Sequence, residues 1–188
     1  MIHAIFNRPS GMLKVYEPGK SLWDSIQAGG DAVGNDPRNA PWGFHYPCPP
    51  GHYVLSAGIK NTDPDVVIKE GPYRIPVWDI DAATLKTLTD AGVASGPPNA
   101  VNVGGIVLPI GEIAANGRDG ILIHGGGTYL HKLNPPKDQE PFQPLCQTEG
   151  CTRVHNADLI RLVDYLAPLF DGNTVVYTVY GNPLRLPH

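Results

Sequence analysis

The sequence predicts a mainly β fold with a few short helices, on three observations. Gly 22 and Pro 20 in 188 residues cut the chain into short segments bounded by turns, which disfavours long helices. Apolar runs of strand length recur, the last of them, Thr174 to Tyr180, rich in β-branched and aromatic residues. Clear helical spacing is confined to a few stretches, best seen in Leu159, Leu162, Val163 and Leu166. With 41% hydrophobic and 17% charged residues, the chain reads as a single domain over 1–188.

Taken in order, Ile2 to Phe6 and Met12 to Tyr16 flank Pro9-Ser10-Gly11 and predict an opening β-hairpin. Ser21 is placed to cap a short helix carrying Leu22, Trp23 and Ile26, stopped at Gly29-Gly30. From Asp31 to Pro50 neither period is visible; this is a long loop in which Trp42, Phe44, His45 and Tyr46 either line a groove or pin the loop to the core. His52 to Lys60 reads as a strand, with further short strands at Val66 to Lys69 and Arg74 to Trp78. Asp81 opens a short helix through Leu85 and Leu88 that Gly92 closes. The acid pairs Asp63/Asp65 and Asp79/Asp81 are turn and cap residues by preference over metal ligands.

Ala94 to Val103 is a Pro/Gly/Asn-rich link, followed by strands at Gly105 to Glu112 and Gly120 to His124 around an Asn116-Gly117 turn signal. The second of these delivers His124 to the end of a buried strand. Tyr129 to Gln147, with Pro135-Pro136, Pro141 and Pro144, reads as a flexible, lid-like insert. Asn156 is expected to cap the helix that follows, with Asp158 at the favourable end of its dipole.

A net charge of −4 and a pI near 5.9 offer no basic footprint for nucleic acid. No apolar run is long enough to span a membrane, and the first eight residues do not read as a signal peptide. The cysteines, Cys48, Cys146 and Cys151, are too few for a disulfide framework, and an odd number leaves at least one thiol.

The chemistry concentrates in two stretches, Ile121-Leu122-Ile123-His124-Gly125-Gly126-Gly127 and Thr148-Glu149-Gly150-Cys151-Thr152-Arg153. A thiol needs a neighbour to take its proton before it becomes a nucleophile, and a histidine at a strand end is suited to that. Gly150 leaves room for a substrate carbonyl beside Cys151, where backbone N–H groups can meet an oxyanion. Arg153 offers a permanent cation able to pair with a carboxylate.

These strings, Ile-His-Gly and then Thr-x-Gly-Cys-Thr-Arg-Val-His-Asn-x-Asp leading into a helix, resemble the signature of the L,D-transpeptidases, bacterial enzymes with a YkuD-type domain. Tyr46 to Leu55 is similar, more loosely, to the family's Pro-x-Gly-x-aromatic strand. The resemblance implies a YkuD-like β-sandwich and a cysteine-dependent enzyme of peptidoglycan. It attacks the third residue of a tetrapeptide stem, releases D-alanine and holds the stem as a thioester. An amine then resolves the thioester to a cross-link, or water to a tripeptide. Residue by residue, Cys151 matches the nucleophile, His124 the base, and Gly125 the carbonyl that orients the ring. Gly150 and Arg153 match the substrate and oxyanion side of the site.

No metal and no cofactor is implied; acylation by carbapenem β-lactams is, as is a periplasmic or cell-wall location. Glu149 stands where the family commonly has histidine, and the distance from His124 to Cys151 is longer than usual because of the 129–147 insert. His131 in that insert is a candidate second site histidine, an exposed loop residue being the simpler reading. In an oxidising compartment a Cys48–Cys146 bridge would pin the insert and spare Cys151.

Other readings stay open. Ile-His-Gly-Gly-Gly resembles the oxyanion loop of α/β-hydrolase esterases, but the Gly-x-Ser-x-Gly elbow is missing. Cys146, Cys151, His155 and His124 have metal-ligand chemistry without paired spacing. Another peptidoglycan cysteine peptidase, or a non-catalytic cell-wall-binding domain of the same fold, completes the alternatives.

Overall fold

The computed structural model describes residues 2–7, 11–17, 51–79, 83, 86, 90, 100–103, 106–109, 121–146, 148 and 150–180. These build a mostly β architecture with a curled sheet and a few short α-helices. The strands are β1 (Ile2–Asn7), β2 (Met12–Tyr16), β3 (Gly51–Leu55), β4 (Ile59–Lys60), β5 (Tyr73–Asp79), β6 (Ala100–Val103), β7 (Ile106–Pro109), β8 (Leu122–His124), β9 (Thr152–Arg153) and β10 (Val175–Tyr180). The helices are α1 (Pro64–Glu70), α2 (Thr128–His131) and α3 (Asn156–Leu166), the last continued by a 3-10 turn, Ala167–Phe170.

The main sheet runs β2-β1-β10-β3-β5-β8-β9, with β4 also on β5; β6 and β7 pair separately. The curl is set by β5. Its C-terminal half, Val77–Asp79, pairs with β3, whereas Arg74 to Pro76 pairs with β8, so one strand serves both halves of the sheet. Alternation sends Ala4, Phe6, Leu13, Val15, Tyr53, Leu55, Val175, Tyr177 and Val179 into one core with Ile75, Ile123 and the apolar stripe Leu159, Leu162, Val163 and Leu166 of α3. That core fixes β8 and β9, hence the site.

The opening hairpin forms as expected, in the register His3↔Tyr16 to Asn7↔Met12. Around it β1 and β10 run parallel and both of their faces are buried, which is why Ile2-His3-Ala4-Ile5-Phe6 does not alternate in polarity. The His52–Lys60 run is two strands, β3 and β4, with Ser56 to Gly58 between them.

Three expectations are corrected. Val66 to Lys69 is helix, not strand: the Asp63 carboxylate caps Asp65 N–H at 2.9 Å, Pro64 takes the first turn, and Gly71 at φ 76° closes the helix. These end signals outweigh the β-branched Val66-Val67-Ile68. The end of the Ala94–Val103 link is a strand, with Ala100 opposite Pro109. The cap of α3 is His155, and Asn156 is the first helical residue. Ala83, Lys86 and Asp90 are helical, in keeping with the helix expected there. Its Asp81, Leu85, Leu88 and Gly92, the 21–29 helix, the 31–50 loop with its aromatics, Cys48, Gln147 and Glu149 lie outside the described residues.

The insert is tied down rather than lid-like. Asn156 Nδ2 donates to the carbonyls of Asp138 and Glu140 at 2.8 and 2.9 Å, and Ala157 N to Pro141 O at 2.8 Å. Gln143, fully buried, donates to Val154 O at 3.0 Å and accepts from Asn156 N at 2.8 Å. His131 is exposed and pairs with the buried Asp138 at 3.1 Å.

Candidate active site

The segment before Cys151 and the strand ending at His124 meet because β8 and β9 are parallel neighbours, with Ile123 opposite Thr152 and His124 opposite Arg153. A parallel pair cannot be joined by a tight turn, so the chain must leave and return. The 129–147 excursion is that crossover. Alternation turns Ile123 and Thr152 inward, Thr152 Oγ1 meeting Tyr177 OH at 2.8 Å, and leaves His124, Cys151 and Arg153 on the opposite side. On its other flank His124 faces Arg74 of β5, whose guanidinium bonds Asn61 Oδ1 at 2.8 Å and Glu70 Oε2 at 3.4 Å.

His124 is buried, and its Nδ1 lies 2.8 Å from Gly125 O. A carbonyl only accepts, so Nδ1 carries the proton and Nε2 is left basic. Burial, reinforced by the Arg153 charge, lowers the His124 pKa from 6.5 to about 3, against the Gly125 hydrogen bond that raises it. At rest the ring is therefore neutral.

The glycine run is built for close approach. Gly125 N donates to Glu70 O and Gly127 N to Ile68 O, each at 2.8 Å, and Gly126 N to Asn156 Oδ1 at 3.0 Å. The run thus satisfies carbonyls that the end of α1 would leave orphaned. A Cβ on Gly125 would collide with Asn156 Oδ1, and Gly126 sits at φ +59° against Gly71. With these N–H groups spent on α1 and Asn156, the run is not an oxyanion hole, which removes the esterase reading.

Arg153 is buried rather than presented to solvent. Its Nε donates to Gly125 O at 3.3 Å, and its Nη1 contacts Cys146 O at 2.8 Å and Cys146 Sγ at 2.6 Å. Burial draws its pKa down, while the sulfurs of Cys146 and Cys151 pull it back up. The expected carboxylate partner thus has its Nε and Nη1 engaged inside the protein, by the Gly125 carbonyl and by Cys146. Cys146 and Cys151 are both thiols, so the Cys48–Cys146 bridge is not formed. Among the described residues no three His, Cys, Asp or Glu side chains gather as a metal site, so Cys146, Cys151, His155 and His124 are not one.

Before Cys151, the Thr148 hydroxyl donates to Cys151 O at 2.6 Å and receives Gly150 N–H at 3.3 Å, and Gly150 adopts φ 118°, a conformation that favours glycine. His124, Gly125, Gly150, Cys151 and Arg153 are thus gathered at one sheet edge. Cys146, Thr148, Gln143 and the Asn156 side chain were not anticipated there. Thr148 and Asn156 stand in the motif string itself and Cys146 lies five residues before Cys151, whereas no local signal pointed to Gln143.

A search of curated proteins finds no match. Among solved structures, the helical cell shape determining protein Pgp2 from Campylobacter jejuni is similar at 17% identity and a TM-score of 0.47, over 97% of this chain and 48% of that one. The chain thus spans about half of that protein. No helix among the described residues is long and apolar enough to cross a membrane. The family model of the L,D-transpeptidase catalytic domain, YkuD, matches residues 2–178, nearly the whole length, and the chain belongs to that family.

Proposed function

We propose that this chain is a cysteine-dependent acyl-transfer enzyme of peptidoglycan tetrapeptide stems, with Cys151 as nucleophile and His124 as base. The observation that carries the reading is the β8–β9 pairing, which sets the neutral, Nδ1-protonated His124 and the Cys151 segment on one side of the sheet around Arg153. Family membership supports peptidoglycan as the substrate and the cell wall as the place of action.

His124 at a pKa near 3 does not hold a resting thiolate as an ion pair. The proton moves to Nε2 as sulfur attacks, and the Arg153 cation stabilises negative charge on sulfur. Attack of Cys151 Sγ on the carbonyl of the third stem residue gives a tetrahedral oxyanion. The long Gly150 N–H bond to Thr148 is readily exchanged for it, beside Cys151 N–H. Collapse expels D-alanine, its nitrogen taking the proton from His124, and leaves the thioester. An amine of a second stem, or water, then attacks that carbonyl and releases Cys151.

Mass spectrometry after incubation with disaccharide-tetrapeptide tests this. Wild type yields tripeptide or cross-linked dimer, and Cys151→Ala neither. No product together with no covalent carbapenem adduct would sink the proposal in favour of a wall-binding domain without chemistry, in which Cys151 would also alkylate no faster than an ordinary thiol.

A further inference from the structure

The mechanism leaves one reactive group at the site unused, the Cys146 thiol. Its sulfur lies 2.6 Å from Arg153 Nη1, although the Cys146 carbonyl at 2.8 Å already anchors the same nitrogen. The thiol is not needed to hold Arg153. Cys151 acts on the same guanidinium from two residues away, on the same side of the strand. Between the two cysteines the chain folds back on itself: the Thr148 hydroxyl bridges Gly150 N and Cys151 O. Both cysteines are half-buried, and neither is in a disulfide.

We propose that Cys146 is a resolving thiol for Cys151, and that the pair forms a reversible disulfide when the site meets a hydroperoxide. The Arg153 charge serves whichever sulfur is anionic. The Cys151 thiolate attacks one peroxide oxygen, the O–O bond breaks, and the departing hydroxide takes a proton to become water. Cys151 is then a sulfenic acid. The Cys146 thiolate attacks that sulfur, the S–O bond breaks, and a second water leaves. Two thiols are oxidised by two electrons and one hydrogen peroxide is reduced to two waters. The disulfide blocks acyl transfer and spares Cys151 from irreversible oxidation.

This rests on Cys151 being the reactive thiol of the proposed function, and its test is read separately. In a Cys48→Ser background Cys146 and Cys151 are the only cysteines, and one tryptic peptide, 138–153, holds both. Hydrogen peroxide should make that peptide lighter by two hydrogens and resistant to iodoacetamide until dithiothreitol is added. Carbapenem acylation should be lost and regained in step. Adding Cys146→Ser should send Cys151 to sulfinic acid beyond rescue by dithiothreitol. Overoxidation of Cys151 at the same rate with and without Cys146, and no lighter peptide, would overturn the inference. Reduced protein that no carbapenem acylates counts against the proposed function instead, while the peptide mass still decides for or against the disulfide.

Discussion

At the scale of single residues, the site depends on which groups are charged. His124 folds with a pKa near 3 instead of 6.5, so it stays neutral and able to accept a proton through mild acid. Its titration therefore adds no acid limb near 6.5 to the pH profile of carbapenem acylation, whereas a histidine charged at rest would add one; an inflection there would contradict this assignment. His124→Ala should slow acylation by roughly 100-fold or more, the usual cost of losing a positioned base. Arg153→Gln keeps a polar side chain but removes the charge beside both sulfurs. It should slow acylation by about 10–100-fold at neutral pH and recover part of that loss in alkali, where Cys151 ionises unaided. Stopped-flow acylation against pH measures both.

At the scale of elements, the crossover from β8 to β9 is organised by Asn156 and Gln143. Asn156 Oδ1 holds Gly126 N and its Nδ2 holds the carbonyls of Asp138 and Glu140, joining the histidine loop, the insert and α3 at one amide. Asn156→Ala leaves those backbone groups buried without partners, at about 1–3 kcal/mol for each group stranded. The Tm should fall by roughly 6–12 °C for a loss of about 3 kcal/mol, and a change under a few degrees by calorimetry would show the insert to be held elsewhere. Gln143 closes the same junction by bonding Val154 O and Asn156 N, so Gln143→Ala should act in the same direction. Phe142 rests edge-on against His155, 5.7 Å between ring centres, on the solvent side of that junction.

At the scale of the whole molecule, the second face of the main sheet holds a buried histidine pair. His52 Nδ1 meets Thr178 Oγ1 at 2.7 Å, while His52 Nε2 and His3 Nδ1 have no hydrogen-bond partner among the described residues. Burial lowers both pKa values from 6.5 to about 4, and the neighbouring His3 lowers that of His52 further. A base whose folded pKa lies below its unfolded value binds fewer protons when folded. Stability is thus complete above 6.5 and is lost as pH falls from 6.5 toward 4, by roughly 3 kcal/mol for each ring when fully protonated. Urea midpoints should fall over that window and fall less in His52→Gln; identical acid limbs in the two proteins would refute the assignment.

By itself the sequence determined the mainly β class, the opening hairpin, the amphipathic α3 and the two motifs of the family resemblance. Each is written in local signals: period, turn residues, and residue types at short spacing. It misread Val66 to Lys69, because β-branching and end signals conflict there and only packing arbitrates. The tertiary structure alone decided that the excursion between the motifs is a parallel crossover pinned by Asn156, and that Arg153 turns inward. It alone gave Cys146 a place beside Arg153. These are contacts between residues far apart in the chain or set by how a turn folds, and no local pattern records them; they exist only once the sheet has curled and β8 and β9 lie side by side.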